Sequence, residues 1–268
     1  MKKFLRWATL CMAVALMTTA CSDDDGDSGP LKADFKIAVT GTAPNAKLTI
    51  TNTSTGATGY AWAFSPGAGT LVSTEKNPAE LTIEKAGQFD VILVVTKGTE
   101  SSTLTQSVTV EGNGSIVTYT GIEFSLTKGS TTYGRFFSTT TGKIYKDSEV
   151  TASNGKDIDL AFGSFNGSMN FFLSPNDKDI TPAIAGATTT AIANYPSASN
   201  AAVTVAAFDA AKDDSFIAKQ AIEDSNDSFG TSTPHIVLFQ TQDGRKGAIC
   251  TRAINSSRLL VDIKVQKY

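Results

Sequence analysis

Between residues 34 and 110 the chain repeatedly alternates apolar and polar side chains with a period of two, and glycine, proline or asparagine cuts each stretch short. The clearest stretch is Tyr60-Ala61-Trp62-Ala63-Phe64, which puts three aromatics on one face of an extended segment. In a strand successive side chains point to opposite faces, so such a run can bury one face and wet the other. Asp34 to Val39, Leu48 to Ile50, Phe89 to Val95 and Ser107 to Val110 repeat the pattern. Gly41 to Asn45, Thr55 to Gly59 and Lys97-Gly98 separate them as turns. Short strands at this spacing predict a β-sandwich.

The same residues resemble a PKD domain. The resemblance rests on Leu48-x-Ile50-x-Asn52-x-Ser54, Tyr60-x-Trp62-x-Phe64, Asn77-Pro78 and Ala86-Gly87-x-Phe89-x-Val91-x-Leu93-x-Val95, in that order. It implies an immunoglobulin-like sandwich over residues 31–112, with Trp62 in its core, serving as a spacer or protein-contact module. The family's Gly-Asp-Gly turn after the tryptophan strand is replaced here by Ser65-Pro66-Gly67, so any ligand role of that aspartate does not carry over.

The N-terminus reads as an address. Lys2, Lys3 and Arg6 precede an apolar, uncharged run from Trp7 to Met17, about the length of a signal peptide's apolar region and short for a bilayer span. Thr18-Thr19-Ala20-Cys21 then resembles a lipobox, although Thr18 and Thr19 are not its favoured residues. The resemblance implies a signal peptide over 1–20, removed by cleavage, and a membrane anchor through acyl chains on Cys21. Ser22, Asp23, Asp24 and Asp25 follow directly and resemble the surface-export signal of Bacteroidetes lipoproteins. That implies an outer-membrane, lipid-anchored protein exposed at the cell surface. Residues 21–30 are acidic and turn-rich, with nothing to bury, and are expected to be a disordered tether.

Residues 116–268 are expected to form a second antiparallel, β-rich domain with at least one short helix, making the protein mainly β. Strands are predicted at Ile116 to Tyr119, Gly121 to Leu126, Ile158 to Phe162 and Asn170 to Leu173. A closing meander is predicted through His235 to Thr241, Lys246 to Cys250 and Arg258 to Val265. The helix is placed at Phe208 to Glu223, with acidic cap residues up to Asp214, and a short strand at Ala202 to Val205. Phe137-Ser138-x-x-x-Gly142-Lys143-x-Tyr145, Asp157 to Leu160 and Val261 to Lys267 resemble a domain of uncharacterised Bacteroidetes surface lipoproteins, which carries no activity to transfer.

The residues narrow the chemistry. Without Lys2, Lys3 and Arg6, the 23 bases fall to 20 against 26 acids, a net of −6, and an acidic surface repels a phosphate backbone. No nucleic-acid partner is expected. Of the 3 cysteines, Cys11 lies in the signal segment and Cys21 takes the lipid. Cys250 is left alone, without a disulfide, as a small core hydrophobe. His235 is the 1 histidine and reads as a strand-start residue, which leaves histidine-based catalysis and a zinc site without their usual groups. Asp157 and Asp159 would share a face of a strand, chiefly as a solvated pair. Asn176 to Asp179 could offer calcium oxygens, but Asx turns explain them as well. Tyr119, Tyr133, Phe165 and Tyr195 are candidates for a binding platform. No catalytic residue, cofactor or metal site is assigned. The expected function is a non-catalytic surface lipoprotein, a binding or accessory module whose ligand is a surface glycan or nutrient. The alternatives are a structural or adhesion protein contacting another cell-surface protein, and an enzyme built on carboxylates.

Overall fold

The computed structural model describes residues 29–65, 72–225 and 227–268. The first sandwich pairs β1 (Phe35–Thr40), β2 (Ala46–Asn52) and β5 (Leu81–Ile83) in one antiparallel sheet. The facing sheet runs in the order β4 (Val72–Ser73), β3 (Gly59–Ser65), β6 (Lys85–Lys97) and β7 (Glu100–Gly114). This is an immunoglobulin-like arrangement. The period-two pattern does the packing: Ala46, Leu48 and Ile50 of β2, and Phe89, Val91, Leu93 and Val95 of β6, all turn into one core. Each such side chain contributes about 1.5–3 kcal/mol on burial.

Trp62 lies in that core, as the pattern predicts, at 1% exposure. Its indole N–H donates to the Glu75 carbonyl at 2.9 Å, and its ring meets Phe35 edge-on at 5.3 Å. The motif asparagines and serine also acquire a physical role. Asn52 receives the Ser54 N–H at 2.9 Å and donates to the Lys76 carbonyl at 2.7 Å, while its own N–H reaches Asn77 at 3.2 Å. Ser54 in turn accepts the Asp34 N–H at 3.0 Å. These bonds fasten the end of β2 to the loop before β5.

In the second unit a five-stranded sheet runs β13 (Ala191–Ala193), β14 (His235–Gln240), β15 (Lys246–Ile254), β16 (Arg258–Gln266) and β8 (Ile116–Ser125). A four-stranded sheet, β10 (Ile144–Tyr145), β9 (Phe136–Phe137), β11 (Leu160–Phe165) and β12 (Met169–Leu173), covers one of its faces. Phe124, Phe137, Phe162 and Phe172 fill the space between with Val237, Phe239, Ile249 and Ile263. The opposite face of the large sheet carries Ile236, Leu238, Ala248 and Cys250, packed against Phe208 and Ile217. Both faces of β14 and β15 are therefore buried, which is why their sequences are continuous apolar runs. Cys250 is fully buried, and burial pushes its thiol up to about 11.

Helix placement corrects the sequence expectation. Among the described residues the α-helix is α1 (Val205–Ala210), followed by a 3-10 turn at Asp214–Phe216, and no helix continues to Glu223. Its N-cap is Thr204, whose hydroxyl accepts the Ala207 N–H at 3.1 Å, so the strand expected at Ala202 to Val205 is replaced by a helix start. The strand of that region is β13. The helix stops early because the buried Lys264 ammonium collects the carbonyls of Phe208 at 2.7 Å and Ala211 at 3.0 Å. Asp213 and Asp214, expected as acidic cap and first-turn residues, do serve so, but for the 3-10 turn: the Asp213 carboxylate accepts the Ser215 N–H at 3.0 Å, and Asp214 opens the turn. Asp157 likewise is not on a strand: it closes a 3-10 turn at Gly155–Asp157, and β11 begins only at Leu160.

The two cores share no residue. Ser115 alone separates β7 from β8, and its N–H donates to the Glu84 carbonyl at 2.8 Å while its carbonyl accepts the Lys267 N–H at 3.0 Å. Gly114 donates to Asp214 at 2.7 Å, and Lys267 pairs with Glu84 at 2.5 Å. Among the described residues no helix is long and apolar enough to cross a membrane.

Candidate functional site

Four loops at one end of the second unit meet around a polar cavity of about 290 Å³. Thr140 follows β9; Lys156, Asp157 and Asp159 precede β11; Thr188 precedes β13; and Gln242, Asp243 and Arg245 form the β14–β15 turn. That turn is tight because the Thr241 N–H donates to the Arg245 carbonyl at 2.9 Å, the Gly244 N–H donates to the Thr241 carbonyl at 2.9 Å, and Gly244 supplies a φ of +91°. It is reinforced by the Thr241 hydroxyl on Asp243 at 2.5 Å and by the Arg245 Nε on Asp243 at 2.8 Å.

Asp159 forms the floor at 7% exposure. Its Oδ2 receives both the N–H and the hydroxyl of Thr139, each at 2.7 Å. Among the described residues its Oδ1 has no donor, and it opens on the cavity. Arg245 reaches the Thr139 hydroxyl through Nη2 at 3.2 Å and the Thr140 hydroxyl at 3.5 Å, and among the described residues its Nη1 has no acceptor. Burial raises the Asp159 carboxyl above its ordinary range, against the Thr139 bonds and the Arg245 charge that favour ionisation. Burial pushes Asp243 the same way, but the Thr241 and Arg245 hydrogen bonds prevail and hold it below. Tyr119 donates to the Thr139 carbonyl at 2.6 Å and so braces the loop from beneath.

The structure brings Asp157 and Asp159 to one cavity, although by a turn rather than by a shared strand face, and Asp159 is buried rather than solvated. His235 does begin β14; its Nε2 lies 2.7 Å from the Asn194 carbonyl, and its ring sits between Phe229 and Tyr195. Burial holds it below the ordinary histidine range. At Asn176 to Asp179 the side chains serve an Asx turn, with Asp177 accepting the Asp179 N–H at 2.8 Å. Among the described residues no group of three or more His, Cys, Asp or Glu is placed to hold a metal. The four platform aromatics are not brought into ring contact with one another. Tyr119 meets Phe137, Tyr195 meets His235, and Phe165 stands 62% exposed on the β11–β12 hairpin opposite Met169. Cys21, Ser22, Asp23, Asp24 and Asp25 lie outside the described residues, as does Pro66-Gly67 of the altered turn.

Sequence reasoning missed Thr139, Gln242, Asp243 and Arg245. Asp243-Gly244 was legible only as a turn, and a loop arginine 86 positions after Asp159 gives no local signal that the two will meet.

No family model matches the chain, and no curated protein matches it. Among solved structures, it is similar to the PKD1 domain of the Vibrio cholerae metalloprotease PrtV, with 30% identity over 31% of this chain and 98% of that domain, at a TM-score of 0.26. It is also similar to a DUF4466 family protein from Parabacteroides merdae, with 12% identity over 89% of this chain and 100% of that one, at a TM-score of 0.41.

Proposed function

We propose that the chain is a lipid-anchored cell-surface protein whose second unit, residues 116–268, is a non-catalytic binding module carried on a PKD-type sandwich, residues 31–112. The signal segment, Cys21 and the acidic residues after it support the address. The observation that carries the binding role is the polar cavity, in which a nine-tenths buried carboxylate keeps one oxygen without a protein donor. That oxygen is reached from the cavity rather than enclosed, and an acceptor held there on a fixed side chain suits a ligand donor. Binding rather than glycoside hydrolysis is favoured because Asp157 and Asp159 come from one segment and Asp243, the carboxylate from another loop, is already held by the Thr241 hydroxyl and the Arg245 guanidinium, while hydrolysis uses free carboxyls set across the scissile bond. Screening the detergent-solubilised full chain on glycan arrays and against pools of small nutrients tests the reading; a screen with no ligand would count against it.

A second reading, a structural or adhesion protein, draws on the exposed Phe165, Met169 and Tyr195. Crosslinking on intact cells separates the two. A stable protein neighbour captured through the β11–β12 hairpin favours adhesion.

A further inference from the structure

We propose that the cavity of the second unit takes a hydroxyl-rich, uncharged ligand, a terminal sugar residue or small polyol, held between Asp159 Oδ1 as acceptor and Arg245 Nη1 as donor. This rests on reading the second unit as a binding module, and it names that module's ligand class.

The argument starts from what each group has left to offer. Asp159 spends one oxygen on Thr139 and presents the other. Arg245 is only 12% exposed, with Nε committed to Asp243 at 2.8 Å and Nη2 to the Thr139 hydroxyl at 3.2 Å, so Nη1 is the donor that remains. Because Asp243 already answers the guanidinium charge, Arg245 supplies a directed N–H more than a free positive charge. At the rim Lys156 and Asp157 are adjacent and of opposite sign. Three carboxylates around the cavity disfavour a phosphate or carboxylate ligand, and two bases disfavour a simple cation. One fixed acceptor beside one fixed donor, with Thr140, Thr188 and Gln242 around them, suits hydroxyl groups, which both donate and accept. The lining contains no aromatic ring for a sugar face to stack on, so binding is carried by hydrogen bonds and is weak.

Saturation-transfer NMR on the full chain in deuterated detergent tests this, with the methyl glycosides of glucose, galactose, mannose and N-acetylglucosamine as probes. Transfer to at least one glycoside is expected. Its affinity should fall about tenfold or more in Asp159→Asn and in Arg245→Gln, the size of one hydrogen bond to a charged group. Glu80→Gln, on the first sandwich, should leave it unchanged. If Asp159→Asn melts early, Arg245→Gln carries the comparison. Transfer that survives both cavity substitutions overturns the assignment of the ligand to this cavity, while the binding-module reading stands. Transfer to putrescine or alanine but to no glycoside, lost in Asp159→Asn, overturns the ligand class and keeps the cavity as a binding site. Transfer to none of these probes overturns the proposal. The binding-module reading falls with it only if the wider screen of the full chain is also empty.

Discussion

The carboxylate of Asp214 in the second unit receives the backbone N–H of Gly114 at the end of the first, at 2.7 Å, across 100 positions of sequence. Its other oxygen takes the Gln266 side-chain amide, also at 2.7 Å, so one buried acid ties β7 to β16. A Cβ on Gly114 would stand 2.7 Å from that second oxygen, and the site excludes even alanine unless Asp214 moves.

Asp214→Ala should therefore leave a buried N–H unpaired and cost about 1–3 kcal/mol. Denaturant unfolding followed separately by Trp62 fluorescence and by whole-chain circular dichroism checks this. The two probes should diverge in the variant as the units uncouple, and coincident, unshifted curves would oppose the role given to Asp214.

Trp62→Ala should cost the first sandwich about 3–5 kcal/mol, because it empties the largest buried side chain and orphans the Glu75 carbonyl. Trp62→Phe should cost less, losing mainly the hydrogen bond. Calorimetry that finds the alanine variant as stable as the parent would remove Trp62 from the core.

The Asp159 carboxyl is raised by burial, so the folded chain holds its proton more tightly than the unfolded chain does. The sign follows: this group favours folding in acid, and its contribution is lost as pH climbs from the ordinary aspartate value of about 3.9 through the raised folded value. Asp159→Asn cannot ionise and lacks that slope. Urea unfolding of both proteins across mildly acid to neutral pH should show the parent losing ground to the variant as pH rises. Parallel pH profiles would contradict the assignment.

Lys264→Met should free the last carbonyls of α1 and cost about 1–3 kcal/mol, although the methylene stem is kept. Hydrogen exchange localises the effect: amides of residues 205–211 should exchange faster while those of the first sandwich do not change.

If Cys21 carries the proposed lipid anchor, Cys21→Ser should abolish acylation, the sulfur being the proposed acceptor, and should leave the folded units intact. Metabolic labelling with an alkyne fatty acid reads this directly. Label on the variant, or none on the parent, would oppose the anchor. If protease added to whole cells spares the parent, the surface display drawn from Ser22 to Asp25 is opposed while the anchor stands.

What the sequence made legible is what a local period can encode. The strands of the first sandwich and the closing meander were found because Trp62, Val91 and Leu93, or Val237 and Phe239, repeat at one face or run continuously. The two-residue β4 has too few residues to show a period. The long β7 alternates threonine and serine with few apolar partners, so only its Ser107 to Val110 segment stood out. The helix was misplaced because Asp213 and Asp214 do start a helical turn, but one of 3-10 type that ends at Phe216, while Asp209 pairs with Arg252 and the Asp214 carboxylate takes the Gly114 N–H. The cavity was half visible. Asp157 and Asp159 drew notice as a pair, but Thr139 and Arg245 join them only through the pairing of β9 with β11 and the closing of the β14–β15 turn.

Cys250 is the one free thiol among the described residues, on β15 between β14 and β16, with its side chain fully buried against the cluster of Phe208 and Ile217. A soluble maleimide can reach it only when the layer carrying Phe208 and Ile217 lifts from the large sheet, or the sheet itself opens. Its labelling rate is thus an intrinsic clock for the breathing of that unit, blind to the first sandwich, and a bound ligand would slow it without any engineered probe.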